Sequence, residues 1–321
     1  IIAHATGRKP RVAPWVQNKK EIEEILRIVR ELRAEDENFN LEWDMFRLVW
    51  SRPVDNKNPQ GGIRDGYDRE NRKNRRTGFK TIDGKVVKSE GERLICDWLW
   101  FYGVRYLYEK PFHVDTATVE HSQYHPDFYY PEIDSWHEHW GIDQHGRASP
   151  EMERNGYQNS MEWKRQQHRN HSPNPLIETT FYDVVQNLDF SNLQHALESR
   201  GIVLNRDPQR EPETNVALEN KDLAMLIRTF MSHIKSNQLT KSDVETLSKD
   251  SRTQKFLKIF WPVLEAWNNN LRENNYVDFE DMLAEAVVAL EQGNYDPGFD
   301  LILVDEFQDT SRSRIRLIKA L

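Results

Sequence analysis

The chain has 321 residues, room for two or three domains, and its 10 Trp, 14 Phe and 11 Tyr supply material for packed cores despite a mean hydropathy of −0.83. A net charge of −8 excludes a globally basic nucleic-acid binder, so phosphate contacts have to come from local basic patches. A single cysteine, Cys96, excludes an intrachain disulfide and fits a reducing cytoplasm, and neither a membrane-spanning run nor a signal peptide is visible.

In chain order, residues 1–55 read as helical. Ile22, Ile25, Leu26, Val29 and Leu32 recur at the 3.6-residue period, and a second short helix is expected over Leu41–Trp50. Residues 52–88 lose that pattern. Residues 64–80 hold seven Lys/Arg against three acids, which reads either as a solvated linker or as a phosphate-contacting segment through Arg72, Lys73, Arg75 and Arg76. Residues 89–205 mix helix and strand: a helix over Glu90–Tyr102 closed by Gly103, strands over 105–112, 124–130 and 135–142, a helix over 152–171, a strand over 176–182, and a helix over 191–200 closed by Gly201. After a polar connector at 206–218, three apolar stripes predict helices across 220–291, with Pro262 expected to bend the middle one or begin a turn. Leu301–Val304 then reads as a short buried strand. With no initiating Met and only ten residues after Ser311, the chain is expected to be a piece of something longer.

That last apolar run is followed at once by Asp305, Glu306, Phe307, Gln308 and Asp309. Acids at the end of a buried strand can hold a hard cation and leave a second carboxylate to orient water, the Walker B layout. DEFQDTS resembles the nucleotide-hydrolysing motif of UvrD/Rep-type DNA helicases. The segment before it, from FLKIF through the VDFEDM helix, and the N-terminal IIAHATGRKPRVAPW are also similar to that family, particularly to helicase-IV-like relatives. The resemblance covers about 1–55 and 206–321. It implies that Asp305 coordinates Mg²⁺ at the ATP phosphates, that Glu306 positions or deprotonates the attacking water, and that Gln308 couples nucleotide state to DNA. The phosphate loop GxxxxGK[ST] is absent from the 321 residues, as are the motifs of the second motor domain, so the resemblance implies no appreciable ATP hydrolysis by this chain alone.

The α-β-β-β-α-β order of 89–205 and its acid spacing resemble the PD-(D/E)XK nuclease fold. Asp127, after Pro126, falls on the second strand, and Glu138 follows eleven residues later across a tight turn at Pro131–Asp134. Carboxylates on paired strands can point to one face and share a metal. The resemblance implies a metal set of Glu92, Asp127 and Glu138 for Mg²⁺ or Mn²⁺. It departs at the third motif, where Trp140 stands in place of lysine. Lys164 on the next helix is the candidate replacement, Lys110 a weaker one, and Gln166 or Glu178 are accessory candidates. Eight of the 11 His lie between 113 and 171, among them His121, His125, His137, His139, His145, His168 and His171. No Cys or HxxxH pair supports zinc there, so core or surface roles are expected. The aromatics Trp98, Trp100, Trp136, Trp140 and Trp163 can pack the core or stack on bases.

The expected architecture is therefore mixed α/β. A helical accessory subdomain (1–55 and 206–297) is interrupted by a basic linker (56–88) and an αβββαβ restriction-endonuclease-like insert (89–205), and the chain ends in a Walker B strand and following helix (298–321). The expected partners are DNA, as single strands or duplex junctions, and the remainder of a helicase chain, with no membrane. The implied whole is a 3′–5′ ATP-dependent DNA helicase bearing an Mg²⁺-dependent nuclease-like insert. The alternative is a noncatalytic insert that steers duplex DNA at the fork.

Overall fold

The computed structural model describes residues 9–10, 17–51, 78–118, 122–210, 212, 218–293 and 298–321. The basic candidates Arg72, Lys73, Arg75 and Arg76 lie outside the described residues, as does His121. The elements begin with β1 (Lys9–Pro10), α1 (Gln17–Glu35) and α2 (Glu37–Met45), followed by a π-helical turn at Phe46–Trp50. Next come β2 (Phe79–Lys80), β3 (Val86–Val87), α3 (Glu90–Phe101), β4 (Leu107–Tyr108), β5 (Phe128–Tyr130) and β6 (Ser135–Trp140). They continue with α4 (Pro150–Arg154), α5 (Tyr157–His171), β7 (Ile177–Thr180), α6 (Ser191–Glu198), α7 (Asn220–Ser236), α8 (Lys241–Leu247), α9 (Ser251–Glu273), β8 (Tyr276–Val277), α10 (Phe279–Glu291) and α11 (Arg312–Ala320). The chain divides into two compact units: Ile1–Asp44 with Glu219–Lys249 and Thr253–Leu321, and Met45–Leu218 with Asp250–Arg252.

The first unit is helical. The apolar stripes meet as their period requires: Ile25, Ile28 and Val29 of α1, Leu223, Ile227 and Ile234 of α7, and Phe256, Phe260, Val263 and Trp267 of α9 are all buried. Phe230 stands edge-on to Phe256 and Phe260 at ring-centroid distances of 5.4 and 4.7 Å, a geometry adding roughly 0.5–1.5 kcal/mol per pair beyond area burial. Helix α9 runs through Pro262 without ending, so no turn begins there; Pro262 forgoes one backbone hydrogen bond inside a helix anchored by buried aromatics on both sides of it. Asp278 caps α10, accepting from the Asp281 N–H at 2.9 Å and from Trp267 Nε1 at 3.1 Å, while Lys235 pairs with it. A two-residue parallel pair, β1 with β8, matches Lys9 to Tyr276 and Pro10 to Val277.

The expected buried strand at Leu301–Val304 is not formed. These residues carry no ladder, and Leu301 and Leu303 are 75% and 85% exposed. An apolar run becomes a strand only where neighbouring strands satisfy its N–H and C=O groups and cover its faces, and among the described residues no strand pairs with it.

The second unit is built on a four-stranded sheet of order β4-β5-β6-β7, antiparallel except for the parallel β6–β7 pair. A parallel pair needs a crossover, and α4 and α5 supply it. The single helix expected over 152–171 is divided at Asn155–Gly156, where Gly156 takes φ +74° and restarts the helix. Strand alternation sends Trp136, Glu138 and Trp140 to the α5 side, where Trp140 packs with Met161. His137 and His139 go to the α3 side. Residues outside the expected 89–205 insert also belong to this unit. Trp50 packs on Phe190 at 5.4 Å, and the Ile82 N–H donates to buried Asp97 of α3 at 2.8 Å.

Candidate functional site

The β5–β6 register pairs Phe128 with His137, Tyr129 with Trp136 and Tyr130 with Ser135. One step further along the same register sets Asp127 opposite Glu138, so their carboxylates share a face. Asp127 is fixed there by the His139 N–H, which donates to its Oδ2 at 2.7 Å. Glu138, with 1% of its side chain exposed, accepts from Tyr124 Oη at 2.6 Å on Oε1 and from Lys164 Nζ at 2.7 Å on Oε2. The lysine comes from α5, one helix after the strand on which the PD-(D/E)XK pattern would place it. Burial raises the Glu138 pKa, offset in part by Lys164 and Tyr124. Asp127 keeps partial solvent exposure, yet its carboxyl is dehydrated by its surroundings; burial first, then Glu138 and Glu92, push it well above the usual carboxylate range. The acids outnumber the nearby cation, which is the electrostatic situation a bound cation relieves.

Glu92 reaches the same neighbourhood but has a local job. Ser89 caps α3, its Oγ accepting from the Glu92 N–H at 3.1 Å and donating to Glu92 Oε1 at 2.9 Å. Glu92 Oε2 accepts from the Lys88 N–H at 2.9 Å and from Tyr108 Oη at 2.6 Å. This is a variant of the capping box, and it holds the third carboxylate in place. Among the described residues no three His, Cys, Asp or Glu side chains are gathered so as to hold a metal ion. The donor chemistry of Asp127 and Glu138 nevertheless fits Mg²⁺, which keeps several waters and takes one or two protein carboxylates.

The other candidates fall elsewhere. Glu178 sits in register with Glu138 on β7 but is occupied by Trp140 Nε1 and by Arg165, at 2.5 Å and at 2.8 and 2.6 Å. Gln166 bonds along its own helix to Asn170 and Arg169. Lys110 stacks over Tyr129 at 3.6 Å and Trp136 at 5.3 Å. His137 is buried and His139 half-buried, and the two are linked through Thr179: His137 Nε2 and His139 Nδ1 lie 2.8 and 2.9 Å from Thr179 Oγ1, and His137 Nδ1 lies 2.8 Å from Tyr130 Oη. Burial lowers both, His139 to about 4, so they are neutral.

Four further participants enter, of which only His168 stands out in the sequence, as one of the clustered histidines. Tyr124 and Tyr108 bond the two glutamates, and His168 bonds Tyr124, its Nε2 lying 3.1 Å from Tyr124 Oη. Because the tyrosine proton goes to a carboxylate, His168 Nε2 must donate, leaving its buried Nδ1 a bare acceptor without a partner among the described residues. Gly91 is the fourth: a Cβ there would lie 2.0 Å from His139 Nε2. The missing side chain lets the start of α3, with Glu92, close onto β6.

Asp305, Glu306 and Gln308 stand in solvent. Asp305 Oδ1 accepts from the Glu306 N–H at 2.9 Å, and Gln308 Nε2 bonds Glu306. Glu306 adopts left-handed backbone angles, φ +48° and ψ +44°, unusual for a residue other than Gly or Asn.

The sequence profile of the UvrD/REP helicase N-terminal domain matches residues 113–321, more than half of the chain, and the chain belongs to that family. It is similar to DNA helicase IV of Escherichia coli (strain K12), 43% identical over 67 residues that cover 21% of this chain and 10% of that protein. It is also similar to the ATP-dependent DNA helicase Rep of Buchnera aphidicola subsp. Acyrthosiphon pisum, 27% identical over 125 residues, 37% of this chain and 18% of that protein. A probable DNA helicase II homolog of Mycoplasma capricolum is 26% identical over 138 residues, 39% and 19% of the two chains. The chain thus spans about a tenth to a fifth of the length of these curated relatives. No solved structure matches it. Among the described residues no helix is long and apolar enough to cross a membrane.

Proposed function

We propose that the protein to which this chain belongs is a cytoplasmic, ATP-dependent 3′–5′ DNA helicase or translocase, and that the unit around β4–β7 is a PD-(D/E)XK-like insert with Mg²⁺-dependent DNA nuclease chemistry. Family membership and the relatives' names support the motor reading. In it Asp305 holds Mg-ATP, Glu306 orients the attacking water and Gln308 reports nucleotide state. Since the phosphate loop is missing from the 321 residues, this chain alone should not hydrolyse ATP.

One observation carries the insert reading: Asp127 and Glu138 sit opposite each other on paired strands, and Lys164 reaches Glu138 from the following helix. Asp127 and Glu138 would hold the metal, with Glu92 behind them. When bound, Mg²⁺ or Mn²⁺ would polarise a phosphate oxygen and lower the pKa of water. Lys164 offers a charge that can pass from Glu138 to a phosphate oxygen. Tyr124 orients Glu138, and His168 orients Tyr124. Incubating the chain with supercoiled and single-stranded DNA plus Mg²⁺ or Mn²⁺ tests this. Cleavage that disappears in Asp127→Ala supports it; no cleavage under any condition sinks it.

The engagement of both Glu138 oxygens, together with Trp140 in the usual lysine position, favours a second reading in which the insert binds DNA without cutting it. Metal-independent DNA binding with no cleavage would establish that alternative.

A further inference from the structure

Past the C-terminal end of α3 lies a cleft of about 210 Å³ whose wall includes Asp83, Lys85, Trp100, Arg105, Tyr106 and Arg210. Three cations face one carboxylate, and that carboxylate is already engaged: Lys85 pairs with Asp83, Thr81 Oγ1 donates to it at 2.6 Å and Tyr106 Oη at 2.9 Å. Arg210 is pre-positioned. Its guanidinium stacks over Trp100 at 4.9 Å and its Nη1 donates to the Trp100 carbonyl at 2.9 Å. Arg105 is exposed. Among the described residues, neither arginine has a carboxylate partner. Two uncompensated guanidiniums in one concavity raise the local positive potential, and an oxyanion with two oxygens to accept from their forked donors, such as a phosphate, lowers it.

The aromatic residues say which part of a ligand is read. Trp100, Phe101 and Tyr106 are 4%, 4% and 8% exposed. Their faces are already covered by cations: Arg210 over Trp100, Arg206 over Phe101 at 5.4 Å, and Lys85 over Tyr106 at 4.5 Å. No ring of this set is left for a base to stack on, so the cleft suits phosphate rather than base.

We propose that this cleft is a phosphate-binding site that grips the backbone of a DNA strand, without base readout, through Arg105 and Arg210. The choice of DNA as the source of the phosphate rests on the motor reading above; the charge and geometry of the cleft do not.

The test is fluorescence anisotropy of labelled single-stranded and duplex DNA with the 321-residue chain, in the absence of divalent metal and across a salt series. Arg105→Gln and Arg210→Gln should each weaken binding several-fold, equally for unrelated sequences, and lower the log K against log salt slope by about 1. Arg105→Lys should keep the slope. Arg210 packs on Trp100, so its variant is checked by thermal midpoint; Arg105 is solvent-exposed, and its variant is the decisive one. Parent-like affinity and slope in Arg105→Gln would overturn the assignment. Inorganic phosphate that raises the parent's thermal midpoint but not that of Arg105→Gln, with DNA binding unchanged, would overturn it in favour of a small phosphate ligand. A parent chain that binds no DNA would remove the DNA reading itself along with this site.

Discussion

Gly91→Ala is the sharpest single perturbation of how α3 meets the sheet. The new methyl would lie 2.0 Å from His139 Nε2, 2.7 Å from Cδ2 and 2.9 Å from Cε1, all inside van der Waals contact. The imidazole cannot turn away freely, because Nδ1 lies 2.9 Å from Thr179 Oγ1, which is also bonded to His137. Relief therefore means either moving α3 off β6 or breaking that link. Overpacking costs about 1–3 kcal/mol. A lost buried hydrogen bond adds about 1 kcal/mol. Alanine's better helix propensity returns at most about 1 kcal/mol. The net expectation is a loss of roughly 1–3 kcal/mol, or about 3–10 °C in the midpoint of a unit this size. Thermal and urea denaturation of parent, Gly91→Ala, His139→Ala and the double variant measure it. The double variant should lose less than the sum of the singles, because removing the ring makes room for the methyl. Parent-like stability of Gly91→Ala would refute the close approach of α3 to β6.

Other outcomes follow from the same geometry. Lys164→Met strands Glu138, whose side chain is 1% exposed, and should destabilise the fold by about 3 kcal/mol, while Lys164→Met with Glu138→Gln should lose markedly less; equal losses in denaturant unfolding would deny the pair its structural weight. Burial first, then His113 and Lys164, depress the His168 pKa to about 4, so its neutral form belongs to the fold. Its contribution is intact above about pH 6.5 and lost as pH falls toward 4. The stability difference between parent and His168→Gln should therefore shift against the parent by about 2 kcal/mol from pH 7 to pH 5, and an unchanged difference would contradict the burial. At ten times its dissociation constant, Mn²⁺ should stabilise the parent by about 1.4 kcal/mol and Asp127→Asn by much less, as read by thermal shift; equal shifts would place the ion elsewhere.

The helical unit was largely legible in sequence because burial follows a local period: Leu223, Ile227 and Ile234 of α7 are buried where a 3.6-residue repeat puts them. The juxtaposition of Asp127 and Glu138 was legible too, since the tight turn at 131–134 sets the register of the strands flanking it. Tyr124, Tyr108, His168 and Gly91 were not, because their roles exist only once α3 and α5 have docked on opposite faces of the sheet. The boundary near residue 88 was displaced for the same reason: Trp50 and Ile82 reveal their partners, Phe190 and Asp97, only in three dimensions. Leu301–Val304 shows the converse, a segment with strand composition that lacks neighbours among the described residues to make it a strand.

The most direct test of the acid site is a crystal structure of the chain with Mn²⁺, read by anomalous scattering. The expected result is a peak bridging Asp127 and Glu138 at about 2.0–2.6 Å from their oxygens, with Glu138 released from Tyr124 or Lys164. A site left empty at saturating Mn²⁺, with both Glu138 bonds intact, would contradict it.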